Sequence, residues 1–295
     1  MSRSLPASDW WYARLYPGGI DRLDAAVTSC LPELSALART LGADRWFFIQ
    51  YTDRRGPHLR FRVRGPRDAL DRLHRVLPRL DADLVRLSRR PAPDRGSLVP
   101  LDLRPFSGLH AGADMAVYER EEAKYGGRTG TELAEEVFEH SSELALWAGG
   151  LPRQPDRAAI GMLLLHASAS EIPQFWERHL AWWTHDAGRG AEELRTRLRN
   201  SADEGMPAIG ERAMSLMAEP AVRIRVQDWA RTLSHHLVRA AAMDIPYSPG
   251  HLVFHQVHMM CNRLGILPRE EALLGIMASR WAGDSTLAHK ALPAQ

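Results

Sequence analysis

The feature that most constrains this chain of 295 residues is a change in hydrophobic period along its length. Near the start, Trp11, Ala13 and Leu15 alternate with Tyr12, Arg14 and Tyr16, the period of two that a half-buried strand requires. Trp46-Phe47-Phe48-Ile49-Gln50-Tyr51 is a second, strongly β-prone run. After the turn-rich Thr52 to Pro57, alternation returns in His58 to Val63. Leu59, Phe61 and Val63 fall on one side of that strand and His58, Arg60 and Arg62 on the other. Between the first two strands, Leu23, Val27, Leu31, Leu34 and Leu37 predict a helix from Ile20 to about Leu41, stopped by Gly42. Pro66 opens another helix to about Leu80, and the Pro/Arg-rich segment 86–104 reads as a loop around at most one short strand. From Thr129 onward the spacing is helical, over 132–146, 157–169, 172–184, 191–200, 222–242, 251–263 and 269–281. The expected fold is α+β, a small N-terminal sheet layer packed on a mostly helical C-terminal part. With no long hydrophilic linker, we read 1–295 as one domain, its α+β part ending at residue 128 and its mainly helical part covering 129–295.

Composition narrows the functional classes. Lys and Arg number 38 against 36 Asp and Glu, and a net charge of +2 argues against direct nucleic-acid binding through many phosphates. Cys30 and Cys261 form no CxxC pair, so neither a disulfide framework nor a cysteine-rich zinc site is expected. With no signal-like start and no run of eighteen apolar residues, a cytoplasmic location away from the membrane is expected. GxGxxG, Walker and GxSxG patterns are absent, which removes the usual support for dinucleotide, P-loop and α/β-hydrolase chemistry; no cofactor is expected.

Three segments carry residues suited to chemistry. The His58/Arg60/Arg62 row is either a solvated sheet face or a clamp for a carboxylate or phosphate, which an arginine fork holds bidentately. Tyr118 to Gly127 packs charges, two tyrosines and a Gly-Gly break into ten residues. Ser248 as N-cap and Gly265 as helix stop enclose a helix that sets His251, His255 and His258 on one face. That stripe lacks the glutamate of HExxH, and one straight helix rarely offers three ligands to one ion. A single oriented histidine is therefore preferred and no metal is expected.

Four blocks resemble the signature segments of the lantibiotic dehydratase C-terminal domain family, including its stand-alone thiopeptide-type members. They are Trp11 to Tyr16; Trp46 to Tyr51 running into Pro57 to Arg62; Tyr118-Glu119-Arg120-Glu121 with Lys124-Tyr125-Gly126-Gly127; and His258-Met259-Met260-Cys261-Asn262-Arg263-Leu264-Gly265. The resemblance implies a protein that eliminates glutamate from glutamylated Ser or Thr of a ribosomal precursor peptide, leaving dehydroalanine or dehydrobutyrine. Its partners would be that peptide, leader and core, and a separate glutamylation protein that uses glutamyl-tRNA; a homodimer is left open. Carried over by motif, Arg60 or Arg62, Arg120 and His258 are the catalytic positions, with His258 as acid/base. His58, Tyr125, Asn262 and Arg263 are the substrate-binding positions. The same family implies an alternative reaction, a pyridine synthase that joins two dehydroalanines by formal [4+2] cycloaddition and expels the leader. A third reading is a non-catalytic scaffold that binds the precursor peptide. The role logic of an Arg/His set favours elimination at this level.

Overall fold

The structure, a computed structural model, describes residues 10–91, 98, 109–151, 156–169 and 172–281. Its contacts divide the chain into two compact units. Described residues 10–91 and 109–120 form the first, and Leu98 with 121–281 the second.

In the first unit the alternating runs become strands. These are β1 (Trp10–Pro17), β2 (Arg45–Asp53), β3 (Gly56–Arg64) and β4 (Ala111–Met115), an antiparallel sheet in the order β2-β3-β1-β4. The β2–β3 turn closes on Asp53, whose Oδ1 accepts the backbone N–H of Arg55 at 2.9 Å and of Gly56 at 3.3 Å. Register puts Trp46, Phe48, Leu59, Phe61, Val63, Trp11, Ala13 and Leu15 on one face, all buried. This is the uniformly apolar face that the leucines of α1 (Leu23–Thr40) and α3 (Leu77–Ser88) are suited to cover; both helices pack on the sheet.

Two expectations for this unit need correction. The helix opened by Pro66 is two helices, α2 (Arg67–His74) and α3, and α3 runs into the segment read as loop. Of that segment, only residues 86–91 and 98 lie among the described residues. β4 was not foreseen, because Ala-Gly-Ala-Asp-Met carries no β-branched or aromatic residue. It is a strand because it pairs along β1, from Ala13 with Met115 to Pro17 with Ala111, and because Asp81 of α3 accepts the Ala113 N–H at 2.8 Å. Gly112 is needed there: its φ is 137°, and a Cβ would stand 2.5 Å from Asp81 Oδ1.

The second unit is helical, with α4 (Glu122–Tyr125), α5 (Gly127–Ala148), α6 (Asp156–Ala169), α7 (Phe175–Thr184), α8 (Ala191–Ala218), α9 (Pro220–Ala242), α10 (Pro249–Arg263) and α11 (Pro268–Arg280). Residues 158–165 of α6 are all buried, as befits a helix apolar all round, and α8, α9, α10 and α11 pack about it. α8 runs 28 residues through Pro207, well past the Asn200 at which its apolar spacing fades. α11 is buried without a break from Glu270 to Ala278, which takes two glutamates into the interior. Glu270 caps its own helix, accepting the Leu267 N–H at 2.9 Å. A small antiparallel sheet in one part and a largely helical remainder are thus both present, in the α+β class read from the sequence. Among the described residues no helix is long and apolar enough to cross a membrane.

Candidate active site

The cationic row of β3 lies in the sheet unit. On its face, Tyr12, Arg14 and Tyr16 of β1 and Phe47, Ile49 and Tyr51 of β2 flank His58, Arg60 and Arg62. Arg62 is only 7% exposed, its guanidinium 4.7 Å from the Tyr12 ring, 5.5 Å from Phe47 and 4.7 Å from Tyr118. Arg60 lies 3.3 Å over Tyr51. His58 is fully buried, its Nδ1 on the Gly56 carbonyl at 3.1 Å and its ring 4.5 Å from that of Tyr16. Burial pushes its pKa down, against the opposing Gly56 carbonyl and Asp53 carboxylate. Arg120 is half-buried and reaches to 6.0 Å from Trp10, whose ring meets Tyr118 at 4.8 Å. Arg62 and Arg120 thus rest on two rings that touch each other, Arg62 on Tyr118 and Arg120 on Trp10. Next along this face, Tyr16 donates to Asp53 Oδ2 at 2.9 Å, and Arg14 pairs with Asp53 and Asp114.

His258 lies in the helical unit, on α10, where Ser248 accepts the His251 N–H as the expected N-cap. Its Nδ1 is 2.9 Å from Glu271 Oε2, and its side chain is 21% exposed. The other oxygen, Oε1, accepts from His179 Nε2 at 3.0 Å and from Trp183 Nε1 at 3.2 Å. Burial would drive the Glu271 carboxyl up, but hydrogen bonds and charge from His179 and His258 outweigh it and hold the group well below the usual carboxylate range. A buried carboxylate on Nδ1 fixes the tautomer: Nδ1 carries the proton, leaving the neutral ring with an accepting Nε2. Gly275, one turn beyond Glu271, makes room for this arrangement, since a Cβ there would meet the His179 ring at 2.8 Å. Arg269 ties the neighbouring backbone, donating to the Trp183 carbonyl at 2.7 Å.

Aromatic rings stand beside His258. Trp183 is 4.7 Å from its ring, Phe254 stacks on Trp183 at 5.8 Å, and Trp182, 56% exposed, meets Phe254 at 5.3 Å. The other helical positions named from sequence support α10. Tyr125 is buried, its ring against Phe138 and His255 at 5.3 and 6.0 Å. Arg263 is buried and donates to Ser142 Oγ at 3.1 Å and to the Met259 carbonyl at 2.8 Å, bridging α10 to α5. Asn262 is half-buried in the last turn of α10. Among the described residues no group of three or more His, Cys, Asp or Glu is arranged to hold a metal ion. In the stripe, His251 instead donates to the Lys124 carbonyl at 3.1 Å and stacks on Tyr247 at 4.2 Å.

Sequence reasoning missed Glu271 and its tie to His179. One signal was present: in a helix as apolar as Ala272 to Ala278, a glutamate within the same turns has little chance of reaching water.

The chain is 27% identical over 134 residues to nisin biosynthesis protein NisB of Lactococcus lactis subsp. lactis, covering 45% of this chain and 11% of that protein. Its fold is similar to the tRNA-dependent lantibiotic dehydratase MibB of Microbispora sp. 107891, at a TM-score of 0.60 and 24% identity over 95% of this chain and 28% of that one. It is also similar to TbtD, the pyridine synthase from thiomuracin biosynthesis, at a TM-score of 0.63 and 20% identity over 94% and 98% of the two chains. The chain thus spans about a tenth of NisB and over a quarter of MibB, but nearly all of TbtD. Residues 10–282, which contain the β3 cationic row, the Arg120 block and the His258 helix, match the family model described as lantibiotic biosynthesis dehydratase C-term, and the chain belongs to that family.

Proposed function

We propose that the chain modifies a ribosomal precursor peptide by joining two dehydroalanines in a formal [4+2] cycloaddition, with His258 as the acid/base group. The amide nitrogen of one dehydroalanine enters a 2-azadiene only as the iminol, so its proton must move from nitrogen to oxygen. Two bonds then form to the second alkene, and loss of water and of the leader as its amide leaves an aromatic ring. Such a reaction asks for a proton carrier beside a flat apolar surface.

The observation that carries this reading over elimination is the enclosure of Arg62. Glutamate elimination needs fixed positive charge on a departing carboxylate, whereas this guanidinium is committed to three aromatic rings. His258, by contrast, is partly exposed beside Trp183, Phe254 and Trp182. Similarity to a pyridine synthase along nearly the whole of both chains supports the same reading. Tyr125 and Arg263 act as supports of α10 in this proposal, and Asn262 precedes Arg263 in its last turn.

Elimination is the competing reading, favoured by Arg120, which is half-buried at the edge of its aromatic cluster. There His258 would take a Cα proton, and a glutamylation protein using glutamyl-tRNA would supply the substrate. Mass spectrometry of two peptides decides. A linear peptide carrying dehydroalanines is expected to give a macrocycle and free leader amide, and His258→Ala to slow this by about 10²–10⁴-fold. An unchanged dehydroalanine peptide, together with loss of glutamate from a glutamylated one, replaces cycloaddition by elimination.

A further inference from the structure

His255 stands three residues before His258 on α10, so the two rings share a helix face. It is held between aromatic neighbours, 6.0 Å from Tyr125, 4.5 Å from His251 and 5.4 Å from Phe254. Its Nδ1 is buried with no hydrogen-bond partner among the described residues. A buried N–H left without an acceptor is the rarer and costlier arrangement, which places the proton on Nε2. The charged or titratable groups facing the ring are Lys124 and Tyr125 from α4, and His251 and His258 from its own helix. Burial, reinforced by Lys124, His251 and His258, pushes its pKa down to about 3.

The two imidazoles are therefore set in opposite senses. His258, with Nδ1 on Glu271, has an accepting Nε2; His255, with Nδ1 sealed, has a donating Nε2–H. Peptide amide chemistry needs this pair. When a base removes the amide proton, the N–H electrons form C=N, the carbonyl pair moves to oxygen, and negative charge appears there. A neutral donor stabilises that oxygen without surrendering its own proton.

We propose that His255 is the oxyanion donor of the His258 site, hydrogen-bonding the carbonyl oxygen of the amide from which His258 takes its proton. The proposal rests on the reading of His258 as the base. The proton passes from the amide nitrogen to His258 Nε2 and on to the carbonyl oxygen, giving the iminol, while His255 forms and releases a hydrogen bond only. In elimination the same donor would serve the enolate oxygen, so the role does not depend on which of the two reactions occurs.

Two measurements test it. His255→Leu removes the donor, and His255→Gln sets an amide N–H near the Nε2 position. His255→Leu is expected to lower kcat by about 10²–10³-fold with KM changed less than about threefold, and His255→Gln to recover at least about tenfold of that loss. Both dehydroalanine and glutamylated peptides are assayed. Failure of the cycloaddition reading then appears as turnover of the second peptide alone, and failure of the His255 role as an unaltered kcat in His255→Leu on whichever is turned over. Nitrogen-15 NMR of the imidazoles reads His255 without any substrate. A neutral Nε2–H tautomer from pH 8 down to 5 is expected, and an Nδ1–H tautomer or a titration near neutrality overturns the proposal. Equal losses in His255→Leu and His255→Gln, both folded by circular dichroism, overturn it as well.

Discussion

Arg62 in the sheet unit and Glu271 in the helical unit are both charged side chains taken out of water, and they are accommodated in opposite ways. Arg62 is met by the faces of Tyr12, Phe47 and Tyr118, which offer a diffuse quadrupole on several sides. Glu271 is met by three directed N–H donors, from His258, His179 and Trp183. A cage of rings holds a cation in place without defining a proton. A buried carboxylate does define one, because each imidazole that binds it must turn an N–H toward it, which decides what the opposite nitrogen can do. The helical unit is for that reason the better prepared for acid/base chemistry.

The contrast between cage and carboxylate is tested most directly at Glu271. Glu271→Ala leaves two imidazole N–H groups and an indole N–H without their acceptor, and a loss of about 3–5 kcal/mol in denaturant unfolding is expected. A loss below about 1 kcal/mol would mean that the carboxylate does not organise this region. Acid sensitivity gives the next effect. Burial pushes His236, 4% exposed, down to about 4, with Glu136 partly opposing. Between that value and the unfolded pKa of about 6.5, the unfolded chain binds a proton that the folded one refuses, so stability falls as pH falls through this window. At pH 5 the loss is about 2 kcal/mol, and His236→Leu is expected to abolish that part of the difference between pH 7 and pH 5 unfolding. His58 in the sheet unit has the same sign, but the Gly56 carbonyl and Asp53 oppose its burial.

On the sheet side, Arg62→Ala is expected to cost about 1–2 kcal/mol through lost ring contacts and packing of its stem. If the variant stays equally stable but stops processing peptide, the guanidinium acts on substrate and elimination regains ground. The smallest effect is expected from Tyr16→Phe. It removes one hydrogen bond to Asp53, which keeps the Arg55 and Gly56 N–H groups, so about 1 kcal/mol in thermal unfolding is expected.

Much of this fold is legible in the order of the residues. β1, β2 and β3 follow from alternation and aromatic content, and the seven helices expected after Thr129 all form, with ends that differ by a few residues except at α8. Ser248 caps α10 through its hydroxyl, and Gly42 and Gly265 end helices with φ of +88° and +73°, as their positions predicted. β4 and the last eighteen residues of α8 escaped because tertiary pairing and packing, not local preference, make them. The β3 face was harder still. Alternation told which side chains share a side, but whether that side is open or roofed by Tyr118 depends on a segment more than fifty residues away.

The class of fold, the family, and the placing of three histidines on one face of α10 follow from the order of the residues, because each depends on local periodicity or on short ordered blocks. Which of those histidines has a carboxylate behind it follows from long-range packing instead. Glu270 and Glu271 are adjacent and alike in sequence, each suited to the first turn of a helix. The packing of α11 against α7 and α10 turns one back to cap its own backbone and sends the other inward to His179 and His258. Burial converts that second glutamate into the group that orients His258 and His179, and burial is a property of the folded core alone.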